Sequence, residues 1–241
     1  MADGIYEMMS TQRAVRRLRP DPIPDDVLGR VLQAACWAPT GGNVQPWRMV
    51  VVTSAARKAA LAAVYRPQWQ RYSERMRGDD LPPRYDVGPD EAARARLKRM
   101  VAAGDHLADH MAEAPVILMF VGNPAGMAIT DSKLDRVSMI GGASVYPAVQ
   151  NAMLAARVEG LGCVLTTLHC FEEADVQEAL DIPPEWATLA LVPLGYPVGG
   201  GYGPVSRRGV DKMAFDDAFG VPWEGAPGAA AGTDAAAPGA T

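Results

Sequence analysis

The sequence predicts an α/β (α+β) fold, in which helices cover a central β-sheet. Short apolar runs rich in β-branched residues predict strands, and amphipathic segments between them predict helices. Because strands that alternate with helices are typical of layered folds, the helices are expected on the faces of the sheet. The chain of 241 residues, 49% of them apolar, can bury a sizeable core as one domain or at most two.

The first half of the chain predicts two helices around one strand, followed by an irregular segment. Residues 24–37 place their apolar side chains on one helical face, and a proline follows this predicted helix. Residues 47–53 are rich in valine and predict a strand, and a second helix is predicted over 54–65. Prolines and glycines interrupt residues 66–90, which predict an irregular excursion with short helices.

The second half predicts six further elements and ends in a segment of low complexity. The elements are a helix over 90–113, a strand over 115–121, a helix over 144–159, a strand over 162–167, a helix over 172–180 and a strand over 188–194. Residues 225–241 contain eight alanines, four glycines and two prolines and lack large apolar side chains. Because such a composition cannot form a core, this tail is expected to be disordered.

Composition argues against several classes of protein. A net charge of −5 argues against nucleic acid as the main partner, because phosphate backbones attract basic surfaces. No apolar run approaches the roughly 18 residues of a membrane span, and the N-terminal region lacks the apolar stretch of a secretory signal. The three cysteines show no Cys-x-x-Cys spacing, so no disulfide framework or zinc site is predicted and a cytoplasmic location is expected.

Common catalytic and nucleotide-binding motifs are missing from the sequence. It contains no Gly-x-Gly-x-x-Gly, no Walker-type Gly-Lys-Ser/Thr and no Gly-x-Ser-x-Gly. His106 and His110 stand four residues apart, but no glutamate adjoins His106, so a solvated helix face is predicted there and no metal site. This shortage of acid–base groups fits an enzyme whose cofactor supplies the chemistry.

A glycine-containing turn is the most informative local feature. Residues 38–47 read Ala-Pro-Thr-Gly-Gly-Asn-Val-Gln-Pro-Trp and lie between a predicted helix and a predicted strand. The two glycines let the main chain approach a planar ring closely, and Asn43 and Gln45 offer donors and acceptors to the edge of a heterocycle. A glycine stop before a buried strand, with Trp47 in the core, would explain the same residues.

An arginine cluster precedes this turn. Four arginines fall within residues 13–19, and the guanidinium fork matches the oxygens of a phosphate group. A second basic pair, Arg207 and Arg208, lies near the end of the chain. Solvated basic surfaces would explain both groups as well. Because the first cluster is local, it suits one small anionic group better than a polymer.

Together the arginine cluster and the glycine turn resemble the nitroreductase family of FMN-dependent oxidoreductases, over about residues 5–215. The resemblance implies a three-layer α/β/α fold with a mixed central sheet and an intertwined homodimer, whose interface includes the helix over 144–159. It also implies a single FMN-binding domain over residues 1–220, of which residues 66–113 form a variable lid beside the flavin.

The resemblance assigns flavin contacts to several parts of the chain. Arginines from both ends grip the phosphate, with Arg16 also a candidate for the N1–O2 side of the ring, and the glycine turn of the partner subunit covers the ring. Backbone N–H groups of residues 166–168 face the ring edge, and lid aromatics line a substrate pocket, unless they simply pack at the surface. The implied cofactor-binding residues are Arg13, Ala14, Arg16, Pro39, Thr40, Gly41, Asn43, Gln45, Leu165, Thr166, Thr167, Leu168, Arg207 and Arg208, and the substrate candidates are Trp69, Tyr72 and Tyr85.

Two positions depart from the family's pattern. Gln12 stands where the first arginine of a pair is usual, and Ala14 stands where a serine is usual. The loss of one cation and one hydroxyl costs about 1–2 kcal/mol each in binding if nothing compensates. Thr40 replaces another common serine and preserves its hydroxyl group.

The resemblance implies that the chain reduces an electron-poor acceptor, such as a nitroarene or a quinone, with NADPH or NADH. Hydride would pass to flavin N5, and the acceptor would then take the place of the nucleotide, which gives ping-pong kinetics. Other flavin reactions of the family, namely dehydrogenation, dehalogenation and flavin cleavage, remain alternatives. A flavin-binding protein without turnover is a further alternative, because of the departures at Gln12 and Ala14.

Overall fold

The computed structural model of the chain describes residues 2–77, 90–223 and 225. Within these residues the chain forms seven α-helices and four β-strands. The helices are α1 (Ala2–Thr11), α2 (Asp25–Cys36), α3 (Ala55–Glu74), α4 (Glu91–His110), α5 (Tyr146–Val158), α6 (Glu173–Leu180) and α7 (Val210–Met213). The strands are β1 (Trp47–Val52), β2 (Val116–Gly122), β3 (Gly162–Cys163) and β4 (Ala187–Gly195).

The four strands form one sheet in the order β1-β2-β4-β3. All three adjacent pairs are antiparallel, whereas the family resemblance implied a mixed sheet. The connections explain the difference. Two helices, α3 and α4, join β1 to β2 and return the chain in the opposite direction. Strands β2 and β3 share a direction, but β4 lies between them, so they do not pair.

Helices cover both faces of this sheet and give a three-layer α/β/α arrangement. Strand β2 is buried along its whole length, and its alternate residues enter two separate hydrophobic clusters. Leu118 and Phe120 belong to a cluster with residues of α2 and α5, whereas Ile117 and Met119 belong to one with residues of α3, α4 and α6. The predicted α/β class with helices on the faces of the sheet is therefore confirmed.

Most predicted elements are present with small shifts at their ends. The strand predicted over 162–167 is shorter, because β3 ends at Cys163 and Thr166 forms only an isolated bridge with Leu191. Helix α1 lies where the sequence predicts no element. None of the helices in the described part of the chain combines the length and apolar character that a membrane span requires.

Helix α3 runs through Pro67 to Glu74, so the irregular segment predicted from residue 66 is wrong for these residues. A proline inside a helix costs about 3 kcal/mol. Packing offsets this cost, because Trp69 is buried against α4 and its Nε1 donates a hydrogen bond to Asp105 Oδ1 at 2.8 Å. The remainder of the predicted excursion, residues 78–89, and nearly all of the predicted tail, residues 226–241, lie outside the described residues.

The contact between α3 and α4 depends on a glycine. A Cβ atom built at Gly104 would lie 2.0 Å from the ring of Trp69. We therefore expect Gly104→Ala to lower the free energy of unfolding by about 1–3 kcal/mol, as measured by chemical denaturation, since overpacking outweighs the gain in helix propensity. Gly29→Ala in α2 is the matched control, because nothing lies within 4 Å of its Cβ position. That substitution should stabilise the protein by about 0.5–1 kcal/mol; equal effects at the two glycines would contradict the packing argument.

Candidate functional site

Two adjoining cavities lie between α3 and the segment that follows β3. The smaller has a volume of about 250 Å³ and the larger about 720 Å³. Tyr72, Thr167 and Leu168 line both cavities, which are therefore neighbours. The smaller is lined in addition by Arg16, Tyr65, Trp69, Leu107, Val164, Leu165 and Thr166, and the larger by Gln68, Arg71, Arg75, Cys170 and Phe171.

A cluster of three polar residues, Arg16, Tyr65 and Thr166, lines the smaller cavity. Tyr65 is buried, its hydroxyl hydrogen-bonds the side chain of Thr166, and the half-buried Arg16 lies close enough to interact with it electrostatically. Burial raises the pKa of Tyr65, and the Thr166 hydrogen bond and the Arg16 charge oppose that rise. Burial also lowers the pKa of Arg16, although far from neutrality, so its charge is only partly solvated and available to an anion. The sequence did not identify Tyr65; its only signal is its position four residues before Trp69 on one helical face.

His106 lies near the N-terminal segment that carries Arg16 and Arg17. Its ring stacks on that of His110 with 4.1 Å between ring centroids, and its buried Nδ1 has no hydrogen-bond partner among the described residues. Burial, followed by the charges of His110 and Arg17, lowers the pKa of His106. His106 is half-buried and His110 is exposed, so the solvated face predicted for this helix is only partly open to solvent at His106.

Residues 10–13 of the N-terminal segment run beside residues 201–205. Val205 N donates to Ser10 O at 3.0 Å, and Gly203 N donates to Thr11 O at 3.2 Å. Arg13 is exposed, and its Nε donates to Gly201 O at 3.0 Å. The structure thus brings the arginine cluster next to the segment that leads to the second basic pair. The side chains of Ala14, Arg207 and Arg208 are exposed, and Arg207 Nη1 donates to Ser206 O at 2.8 Å.

The glycine turn has an unusual backbone. Gly42, Asn43 and Gln45 have φ values of 58°, 55° and 52°, a region that asparagine and especially glutamine adopt rarely. The Thr40 hydroxyl accepts a hydrogen bond from Gln45 N at 3.0 Å, and Gln45 Nε2 donates to Asn43 Oδ1 at 3.1 Å. Pro39, Gly41, Asn43 and Gln45 are exposed. Backbone strain held at an exposed polar turn is typical of binding sites.

The turn and the cavities lie at opposite edges of the sheet. The turn leads into β1, which is one edge strand, whereas residues 164–168 follow β3, which is the other. Strands β2 and β4 stand between them, a separation of about 14 Å at the usual strand spacing. The structure of one chain therefore does not bring the turn of residues 39–45 together with the residues that line the cavities.

The segment after β3 partly differs from the sequence-based expectation. Thr166 N donates to Leu191 O and Leu191 N donates to Thr166 O, both at 3.0 Å, so the Thr166 N–H faces the sheet and not a cavity. Leu168 N approaches Thr166 Oγ1 at 3.5 Å. The Thr167 N–H forms no hydrogen bond within the described part of the chain. Only Thr167 therefore keeps an unengaged backbone donor beside both cavities.

Two of the three substrate candidates line the cavities. Trp69 is 6% exposed and mainly a core residue, which borders only the smaller cavity. Tyr72 is half-buried and borders both. Tyr85 lies outside the described residues.

A buried histidine, His169, comes directly after Leu168, which lines both cavities. His169 is fully buried, its Nδ1 has no hydrogen-bond partner among the described residues, and its Nε2 lies 3.4 Å from Cys170 Sγ. Burial lowers the pKa of His169 to about 4, which the negative charge of Glu173 opposes. The folded protein thus holds this imidazole neutral.

This burial predicts a loss of stability in acid. The folded-state pKa lies below the ordinary value of 6.5, so the contribution of His169 is complete above pH 6.5 and decreases as the pH falls towards 4. We expect His169→Leu to remove about 3 kcal/mol of the wild-type decrease in unfolding free energy between these pH values. Denaturation curves at several pH values measure it, and exposed His110→Gln should retain the wild-type decrease. Identical pH profiles for wild type and His169→Leu would contradict the prediction.

The layered fold around an antiparallel sheet, with a cavity beside an arginine near the N-terminus, is that of the nitroreductase-like proteins. The chain belongs to the nitroreductase family, whose family model matches residues 9–196. The resemblance seen in the sequence is thereby confirmed.

Members of this family with different reactions are similar to the chain. It is 30% identical to 5,6-dimethylbenzimidazole synthase of Rhodospirillum rubrum over 198 residues, which cover 81% of this chain and 82% of the relative. It is 31% identical to NADH dehydrogenase of Thermus thermophilus over 205 residues, with coverages of 85% and 91%. The crystal structure of iodotyrosine deiodinase bound to FMN and 3-iodo-L-tyrosine matches with a TM-score of 0.63 at 22% identity, covering 85% of this chain and 95% of that one.

Proposed function

We propose that this protein is a cytoplasmic, homodimeric FMN-dependent oxidoreductase that reduces an electron-poor acceptor, such as a nitroarene or a quinone, with NADPH or NADH. The observation that carries the proposal is the cavity in which Arg16, Tyr65 and Thr166 meet beside an unengaged backbone donor at Thr167. Membership of the nitroreductase family and the FMN bound to iodotyrosine deiodinase support the choice of cofactor.

The residues present fit FMN. The phosphate of FMN requires cations. Residues 10–13 hydrogen-bond to residues 201–205, and the exposed side chains of Arg13, Arg207 and Arg208 lie on or next to these two segments. The ring requires an apolar wall with few polar groups, which Leu165, Leu168 and Tyr72 provide with the polar cluster of the smaller cavity. The missing cation at Gln12 is partly offset by these C-terminal arginines.

Bound FMN would supply the capacity to accept a hydride from a nicotinamide and to pass on two electrons. The chain itself supplies binding, orientation and charge. Arg16 faces the cavity with a partly desolvated positive charge, which stabilises negative charge that develops on a ring nearby. Tyr65 and Thr166 line the same cavity as Arg16, and the Thr167 N–H is free to donate to an acceptor atom at the ring edge.

The larger cavity provides space for the two substrates in turn. It shares three lining residues with the smaller cavity, so a molecule bound there lies next to the proposed flavin position. For a nitroarene the reaction balances as ArNO2 + NADPH + H+ → ArNO + NADP+ + H2O. Because both substrates would use the same space, we expect ping-pong kinetics.

Two observations support a homodimer. The polar turn of residues 39–45 lies about three strand spacings from the cavities of its own chain, so a second chain is needed to supply it. A groove of about 710 Å³ between α1, α2 and α5 exposes Ile5, Trp37 and Val158 at 53%, 74% and 67%. An apolar face of this kind is typical of an interface between subunits.

Two alternatives keep the same cofactor. The relatives include a 5,6-dimethylbenzimidazole synthase and an iodotyrosine deiodinase, so a different flavin reaction is compatible with the fold. A flavin-binding protein without turnover is compatible with Gln12 and Ala14. The larger cavity, of about 720 Å³, favours turnover, because it offers room for a substrate beside the proposed flavin position.

Purified protein should be yellow with FMN, and NADPH should bleach it within seconds under argon. Arg16→Gln should weaken FMN binding by about 10–100-fold, since a charge-assisted contact is lost from a partly buried site. Arg19→Gln is the matched control, because Arg19 is an exposed arginine of the same segment that pairs with Asp21 at 3.3 Å. Fluorescence titration of apoprotein with FMN measures both.

Several outcomes separate the alternatives. Equal FMN affinities for the two variants would refute the role of Arg16. A colourless protein that takes up no FMN would refute the proposed function, and a yellow protein that no pyridine nucleotide bleaches would favour the non-catalytic alternative. Intersecting initial-rate lines in nucleotide and acceptor would rule out ping-pong turnover.

If each site contains residues of both subunits, two different inactive variants should complement each other in a mixed dimer. Arg16→Gln and Asn43→Ala should each abolish most activity alone, because each removes one side of every site. Co-expression of the two variants should restore activity at about a quarter of all sites, since random pairing makes half the dimers mixed and each mixed dimer holds one intact site. Co-expression of Arg16→Gln with Arg13→Gln, which both lie on the same side of the site, is the control and should give no more activity than the average of these two variants expressed alone. Restoration in neither mixture would place Arg16 and Asn43 in the site of one chain and contradict the shared site.

A further inference from the structure

The outer rim of the larger cavity carries a pair of arginines. Arg71 lies in the last turn of α3, Arg75 is the residue that follows the helix, and both line this cavity. Cations at the C-terminal end of a helix are compatible with the helix dipole, so the fold tolerates both charges there. Because both side chains are exposed and border the cavity, their N–H groups are available to an anionic ligand.

The other arginines of this region are neutralised. Arg57, Arg66 and Arg77 form ion pairs with Asp181, Asp109 and Asp105. Within residues 2–77 and 90–223, neither Arg71 nor Arg75 forms an ion pair. The two guanidinium groups that border the cavity are thus the ones left with uncompensated charge in this part of the described chain.

Glu172, a carboxylate close to Arg71, accepts a hydrogen bond from a buried amide. Gln68 is 4% exposed, and its Nε2 donates to Glu172 Oε1 at 3.0 Å. Arg71 Nη1 donates to the other end of the same amide, Gln68 Oε1, at 3.3 Å. The amide therefore separates Arg71 from Glu172 and orients the guanidinium, which keeps its remaining N–H groups for a ligand. Among the described residues, the lining of the larger cavity contains these two guanidinium groups and no carboxylate, and Glu74 and Glu172 lie outside that lining.

The rest of the cavity is suited to an aromatic ring. Phe171 is 68% exposed although it is a large apolar side chain, and Tyr72 lies on the α3 side of the same cavity. Burial of such a side chain against a planar ligand is favourable, and aromatic pairs add about 0.5–1.5 kcal/mol to the burial itself. The inner end of the cavity meets the smaller cavity at Thr167 and Leu168.

We propose that the larger cavity selects an aromatic acceptor that carries an anionic group, such as a carboxylate or a sulfonate. Arg71 and Arg75 hold the anion at the rim, and the ring lies along Tyr72 and Phe171 with its reducible group directed towards the smaller cavity. This inference rests on the proposed function, which it extends to a class of substrate. The phosphate of NADPH carries charge of the same sign, so the test compares NADPH with NADH to separate the two sources of the anion.

The test compares 4-nitrobenzoate with neutral 4-nitrobenzamide in the holoenzyme. Wild type should prefer the carboxylate, and Arg71→Gln/Arg75→Gln should lower kcat/KM for 4-nitrobenzoate by about 10–100-fold while that for 4-nitrobenzamide changes less than about threefold. The ratio of the two effects cancels the intrinsic reactivity of each nitroarene. Calorimetric titration of the oxidised protein with 4-nitrobenzoate should show the same weakening of Kd. The preference should also decrease with salt, because the anion binds at an exposed rim.

Arg66→Gln is the matched control, since Arg66 lies on the same helix but pairs with Asp109. It should leave both substrates unchanged. If Arg71→Gln/Arg75→Gln lowers kcat/KM equally for 4-nitrobenzoate and 4-nitrobenzamide, the inference is overturned. It is also overturned if the double variant raises the KM for NADPH, but not for NADH, and leaves the ratio of kcat/KM for the acid and the amide unchanged. Turnover without charge preference would overturn the inference alone. Failure to bind FMN would refute the proposed function, and the calorimetric comparison would still decide whether the rim binds the carboxylate.

Discussion

Strand β2 is buried on both faces, and the packing of the other layers depends on this burial. Successive side chains of a strand point to opposite faces, so six of its seven residues, 116–121, alternate between the two hydrophobic clusters. Helices α2 and α5 pack on one face and α3, α4 and α6 on the other. The candidate site forms where the second cluster reaches the edge of the sheet and apolar contacts give way to Arg16, Tyr65 and Thr166.

Local patterns predicted the elements well, because helix and strand periodicity is written in neighbouring residues. They failed at Pro67, where the local signal for a break is strong. What decides the conformation there is the fit of Trp69 against Gly104, residues 35 positions apart along the chain, which no local pattern reveals. The antiparallel order of the strands is missed for the same reason, since it depends on which strand lies between β2 and β3.

The candidate site was only partly visible in the sequence. Arg16 was identified because charge and motif both single it out, whereas Tyr65 is one more apolar position on a helix until the fold brings Thr166 beside it. The backbone N–H of Thr166 was expected at the site, but the sheet engages it through Leu191. Residue type thus indicated the chemistry, and long-range pairing decided which atoms remain available.

Helix α3 continues past its own proline. Pro67 supplies no N–H, so the carbonyl of Ala63 lacks its usual helical partner. Buried side chains anchor the turns that follow, because Trp69 donates to Asp105 and Gln68 donates to Glu172. The arginines at the rim of the larger cavity therefore stand on a segment whose position tertiary packing sets. A substitution in the core beneath α3 would displace these cations without touching the cavity itself.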